Sequence, residues 1–587
     1  MFKLRLLLIL ILFVGACKTE TKKEHPPYRY TDNTVYARLP AEPDRLNPIL
    51  STSVYGRAVH QNIFFYLLDF DRQTLELVPQ LAKSRPEIKT IDSGPDEGGL
   101  SYTFELHEEV TWDNGQPVTG KDFEFTLKVL FNPFVNAAAV RSYLDFVTDI
   151  AIDPNNNKRF TVFTNRKYIV GEAVISNIPI MPDFVYDPEG LMAQISLREL
   201  TQMSGQESES EHKAVLQQFA EAFNSPQFSR EKGFIEGCGP YRFVEWVTGD
   251  RVVLEKKENW WGDKLAKRNP ALIAHPDQLI FKIIPDQTAT LAALKDQQVD
   301  VASQIDAKDY VDLQQNAVFT PLYNLESPSS LIYYYIGIQT KNTKLSDKRV
   351  RWALAHLTNV DQLIDDLFFG LGERTIGPVH PAKPYYHKKL SPIPFDPEKA
   401  SALLAEAGWE DSNGNGIVDK VINGELVEME LEFSYGNSSR FAENQVLLFQ
   451  NDAKKAGVKI IPVPKEFTIL IDDLKKRDFE LFSGAWGQDP ILDDFKQLWH
   501  TDSDTPDGSN RVGFGNAASD QLIEDIRITL DESKRNDLYL QFQELLYDEQ
   551  PYIFLFVPLE RLAIHKRFET KTSALRPGFF VKDFVLK

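Results

Sequence analysis

At 587 residues the chain is too long for one compact core and is expected to divide into two to four domains of roughly 100 to 200 residues. Its 42% hydrophobic and 26% charged residues supply a large interior and exclude a disordered chain. Acidic side chains outnumber basic ones 85 to 65, and the resulting charge of −20 repels phosphate backbones, excludes nucleic acid as the expected partner and favours cationic ligands.

Lys3 and Arg5 precede an apolar run, Leu6 to Val14, which ends in Gly15, Ala16 and Cys17. The run is about half the roughly 20 residues that a membrane-spanning helix needs, and small residues stand where a signal peptidase cuts. Residues 1–16 are therefore expected to be an export signal. Val14-Gly15-Ala16-Cys17 resembles the bacterial lipobox, which implies lipid on Cys17. Several acyl chains together anchor a protein firmly, each buried CH₂ adding about 0.8 kcal/mol. Residues 17–29 are polar, end near Pro26 and Pro27, and read as a tether. The expected location is the cell envelope, on the periplasmic side of the inner or outer membrane if the cell is Gram-negative. Cys238 is the only other cysteine, so the fold is expected to stand without a disulfide.

Further along, strands are expected at Thr34 to Leu39 and Leu279 to Ile284, and helices at Asp286 to Gln297 and Val350 to Phe369. Their alternation predicts an α/β fold. Gln206 to Glu221 reads as a peripheral helical excursion with little apolar face. Between Ser101 and Phe125, the alternation of Tyr102, Phe104 and Leu106 predicts a half-buried strand, Asp113-Asn114-Gly115 a turn, and Thr119 with Asp122 a helix start. Gly237 to Trp246, Arg251 to Glu255 and Asn259 to Gly262 read as a hairpin followed by an aromatic loop. Asp347 to Trp409 reads as two capped helices joined by a long loop.

These three stretches, together with Asp44-Arg45-Leu46-Asn47-Pro48 and Leu77-Val78-Pro79-Gln80-Leu81-Ala82, resemble in order the signature segments of the family 5 extracellular solute-binding proteins, the peptide-binding group of ABC importers. The resemblance implies a two-lobe clamshell of the periplasmic-binding-protein type (type II, cluster C), its lobes linked by two crossing strands, with an extra domain on the first lobe. Residues 30–60, 178–285 and 564–587 would form lobe one, 61–177 the extra domain and 286–563 lobe two. A monomer would capture a short peptide by lobe closure and hand it to a permease and its ATPase, without a cofactor. Family members also bind metal chelates, haem, sugars or opines, and the same clamshell serves receptors and chaperones.

The resemblance also implies a site. Family peptide binders place a Trp-x-x-Asp segment at the cleft, which Trp486 and Asp489 match, although Pro490 follows the Asp here at once. An ionised carboxylate facing a partly desolvated cleft is a poor solitary occupant and a strong partner for an α-ammonium group. The edge from Ala485 to Gly487 would pair with a peptide backbone as an added strand. Tyr55, Gly56 and Arg57 lie where lobe one meets the ligand. Arg374 is a weaker candidate for a peptide carboxylate, an exposed helix-end arginine being the alternative. Asp411 to Asp419 has the oxygen spacing of a calcium loop, but Ile422 stands where a bidentate Glu belongs, so a plain turn is expected, with a weak calcium site as the alternative. No nucleophile elbow, zinc helix, phosphate loop or Cys-x-x-Cys is present, so the chain is not expected to be an enzyme. His380 and His387 fall in a Pro-rich loop and are not expected to bind metal.

Overall fold

The computed structural model describes residues 28–203, 211–506 and 508–587. The export signal, Cys17, most of the tether and residues 206–210 lie outside that range.

The chain folds as an α/β protein around two principal sheets. The first has seven strands, in the order Tyr323–Glu326, Leu562–His565, Val301–Ala302, Thr34–Leu39, Gln278–Ile283, Arg251–Lys256 and Tyr241–Val247. Thr34–Leu39 runs parallel to Gln278–Ile283, whereas the Tyr241–Lys256 hairpin is antiparallel. The second has five strands, ordered Lys459–Lys465, Glu430–Gly436, Leu481–Gly487, Ile332–Ile338 and Tyr552–Phe554. A four-stranded antiparallel sheet, Glu87–Thr90, Leu100–Glu105, Asn156–Thr164 and Val147–Asp153, stands beside the first and shares its apolar core.

Local chemistry explains these elements. Leu100–Glu105 alternates buried and half-buried positions, as period-two patterning requires. Thr119 and Asp122 form a capping box at the Gly120–Phe131 helix, with Asp122 also accepting from Trp112 Nε1 at 3.1 Å. In the aromatic loop, Trp260 and Trp261 both donate to the Cys238 carbonyl, at 2.9 and 2.8 Å. Gly237 and Gly239 let that loop pass close to Ile63, since a Cβ on either would sit 2.4 or 2.6 Å from the Ile63 carbonyl oxygen.

Three sequence expectations are corrected. The Gln206–Glu221 excursion is not apolar-poor: within it starts the Lys213–Phe223 helix, which buries Leu216, Phe219, Ala220 and Phe223 against Phe125 and Tyr186. Preceding polar residues mask that stripe. Val350 to Phe369 is two helices, Lys348–His356 and Val360–Phe368, because Asn359 caps the second by accepting from Gln362 N at 3.2 Å. Residues 286–326, expected in lobe two, add Val301–Ala302 and Tyr323–Glu326 to the seven-stranded sheet through pairing with Ala37 and with Leu562–His565.

The chain passes between the sheets twice, and the two passages hydrogen-bond to each other. Ser330 N donates to Pro558 O at 2.9 Å, Glu560 N donates to Pro328 O at 2.8 Å, and Ser329 bridges Leu559. A second contact joins the four-stranded unit to the five-stranded one. Ile169 and Val170 enter the apolar cluster around Trp499 and Phe542, and Ile169 N donates to Arg527 O at 3.0 Å.

Candidate functional site

Between the two sheets lies a cleft of about 970 Å³. Its first wall is shaped by the segment after Thr34–Leu39. Asp44 accepts from Ser51 Oγ and Thr52 N, and buried Asn47 accepts from Ile49 N and Leu50 N. These bonds fix the turn from which Ser53 caps the Val54–His60 helix by accepting from Tyr55 N at 3.1 Å. Tyr55 and Arg57 line the cleft, and Arg57 donates to Asn177 Oδ1 at 3.1 Å. Gly56 faces away. A Cβ there would stand 2.4 Å from Ser51 Oγ and 2.9 Å from Arg45 O, so its part is to let the helix pack onto the turn.

Sequence reasoning missed the floor. Arg38 is buried and donates to Ile284 O at 2.9 Å and Ser303 O at 2.7 Å, with burial holding its guanidinium below the usual arginine value. His60, also buried, is pushed down to about 3 by desolvation. The C-terminal loop contributes Arg576 and Phe580, and the region before the extra sheet's second half contributes Val140 and Tyr143. No local pattern marks these residues. Only the fold brings them to one place.

The opposite wall is the end of Leu481–Gly487. One edge of this strand pairs with Ile332–Ile338, Gly487 opposite Ile332. On its other edge Glu430–Gly436 pairs with Leu481 and Phe482, so Ser483 to Gly487 has no strand neighbour there among the described residues. Ala485 and Gly487 are exposed to the cleft. Asp489 lies just beyond, exposed, with no hydrogen bond or ion pair to any described residue. It borders a second cavity of about 610 Å³ as well, which Trp486 also lines.

The remaining sequence candidates lie elsewhere. Arg374 is on a strand, not a helix end, and is used within its own unit by Asp361 at 3.2 Å and the Ile393 carbonyl; it lines neither cavity. In the Asp411–Asp419 turn the oxygens of Asp411, Asn413 and Asn415 accept backbone N–H groups of the turn itself. His380 bonds Ser330 O and His387 bonds Glu544, so the two act separately. Cys238 is buried, and desolvation raises its thiol to about 12. Among the described residues no group of three or more His, Cys, Asp or Glu is placed to hold a metal, and no helix is long and apolar enough to cross a membrane.

Comparison with known proteins places this geometry. The sequence profile of the bacterial extracellular solute-binding proteins, family 5, matches residues 76–509. The oligopeptide-binding protein AppA of Bacillus subtilis is 25% identical over 579 residues, covering 96% of this chain and 94% of its own length. A heme-binding protein of Haemophilus influenzae is 27% identical over 332 residues, covering 54% of this chain and 53% of its own. The structure of the Bacillus subtilis AppA in complex with a nonapeptide superposes with a TM-score of 0.62 at 22% identity, over 94% of this chain and 99% of that one.

Proposed function

The chain belongs to the family 5 bacterial extracellular solute-binding proteins, and from that premise we propose that it captures short peptides by lobe closure and delivers them to an ABC permease, held at the membrane by lipid on Cys17. The observation that carries the peptide reading is Asp489, a carboxylate without a partner among the described residues, at the end of a strand whose edge is open. A peptide offers that pair of features what each lacks. Its α-ammonium group gives Asp489 charge-assisted hydrogen bonds, and its backbone gives Ser483 to Gly487 a neighbouring strand. Side-chain identity matters little to either contact. Solute touching both walls lowers the energy of the closed arrangement alone, which is how binding drives closure. The full-length similarity to an oligopeptide-binding protein supports the same reading.

Calorimetry on Asp489→Asn tests it. Peptides with a free amino terminus should lose about 1.5–3 kcal/mol of binding energy, the worth of a hydrogen bond to a charged group, while N-acetylated peptides lose little. Equal losses for both remove the amine anchor. Haem is the second reading, favoured by the heme-binding relative. It predicts a Soret band that persists through gel filtration.

A further inference from the structure

The cavity of about 610 Å³ behind the Trp486–Asp489 turn lies between the extra domain and the five-stranded unit. Its acids and bases are almost all engaged. Asp145 pairs with Arg166, Asp494 with Arg527, Asp493 with Lys383, and Lys496 with Glu524. Asp489 alone among its carboxylates has no partner among the described residues.

Two further polar atoms there are unsatisfied. Tyr333 stands opposite Trp486 across the strand pair, so both side chains share one face of the sheet. Tyr333 is 2% exposed, and its hydroxyl has no hydrogen-bond partner among the described residues. Gln488 is fixed from two sides: its backbone N donates to Leu331 O at 2.8 Å and its Nε2 donates to the Pro378 carbonyl. That leaves Gln488 Oε1 buried and unpartnered as well. Buried polar atoms without partners are uncommon in native proteins because each costs its full desolvation energy. Here the two residues that carry such atoms line one cavity together with the free carboxylate of Asp489, the atoms themselves lying just beneath its surface, and the remaining lining includes Trp486, Val170 and Ile491.

We propose that this cavity is a subsite for a cationic side chain, lysine or arginine, on the first residue of the bound peptide. The apolar stem lies along Trp486, Val170 and Ile491, and the terminal N–H donors meet Gln488 Oε1 and Tyr333 Oη. Lysine and arginine are built this way, with a hydrocarbon stem and a head that only donates. The first residue is the one placed to enter, because Asp489 borders both cavities and holds its α-ammonium group. The inference rests on that anchoring role. The protein's charge of −20 favours such ligands over the whole surface.

Isothermal titration with three tripeptides, Lys-Ala-Ala, norleucine-Ala-Ala and Ala-Ala-Ala, tests it. Norleucine keeps the stem and removes the ammonium group. The lysine peptide should bind about tenfold more tightly than the norleucine peptide, the scale of a hydrogen bond to a charged group. Tyr333→Phe and Gln488→Met should each bring that ratio toward one, with thermal melts verifying the fold. A ratio near one in the unaltered protein, or a ratio that survives both substitutions, overturns the subsite while leaving the peptide reading intact. Failure of all three peptides to bind overturns both.

Discussion

Asp122 sits buried at the start of the Gly120–Phe131 helix, accepting from Thr119 N at 2.7 Å and from the Trp112 indole. Desolvation pushes its carboxyl up to about 6 in spite of these bonds. Between about pH 4 and 6 the folded protein therefore keeps a proton that the unfolded chain releases, so this group's contribution to stability falls as pH rises through that window. Asp122→Ala removes the N3 half of the capping box and strands three donors, Thr119 N, the Thr119 hydroxyl and the Trp112 indole, which should cost about 2 kcal/mol. The deficit should be larger at pH 4.5 than at pH 7.5 in urea titrations. Equal deficits would show that the carboxyl titrates normally. Thr119 and Asp122 were legible in the sequence because a capping box is a pattern within four residues. Tyr333 was not, since a hydroxyl's lack of a partner is a property of everything packed around it.

At the scale of elements the same distinction holds. The Tyr241–Lys256 hairpin was readable from its apolar alternation and turn residues, and the helix after Asp286 from its cap and period. Val301–Ala302 was not, because two residues carry no period, yet this strand ties Thr34–Leu39 to Leu562–His565. Its position is fixed by an ion pair. Arg567 donates two hydrogen bonds of 2.7 Å to Asp300, and its remaining donors reach Asp32 O and Thr34 O, while Asp300 also accepts from Tyr36 N. Three distant stretches of chain meet at this pair, which is 2% and 3% exposed. Arg567→Met leaves the Asp300 carboxylate buried and uncompensated, and should cost about 3–5 kcal/mol. The double variant Arg567→Met with Asp300→Leu should recover much of that loss in the same urea titration. No recovery would mean that the arginine acts by shape alone.

Over the whole molecule the clearest expected response is to acid. Burial holds His60 down to about 3, and His380 and His565 down to about 4, so none of the three accepts a proton near pH 5 while folded. The unfolded chain protonates them from about pH 6.5 downward. Stability therefore falls as pH drops from 6.5 toward 4, by at most about 4 kcal/mol per pH unit for three protons. This outweighs the opposing slope of Asp122. Melting at pH 5 should come well below melting at pH 7.5, and an unchanged melting temperature would mean that these imidazoles titrate while folded. The clamshell itself was legible through the order of its signature segments. The cleft floor was not, because Arg38, Tyr143 and Arg576 are distant in sequence and none belongs to a motif. The two passages between the sheets, bonded to each other from Pro328–Ser330 to Pro558–Glu560, have a mechanical consequence. A pair of strands joined side by side is stiff against bending in its own plane and yields to twist, as two-stranded ribbons do. The lobes therefore share one soft coordinate instead of swinging freely. An occupant of the cleft is therefore expected to change how far that single angle travels and not the axis about which it turns.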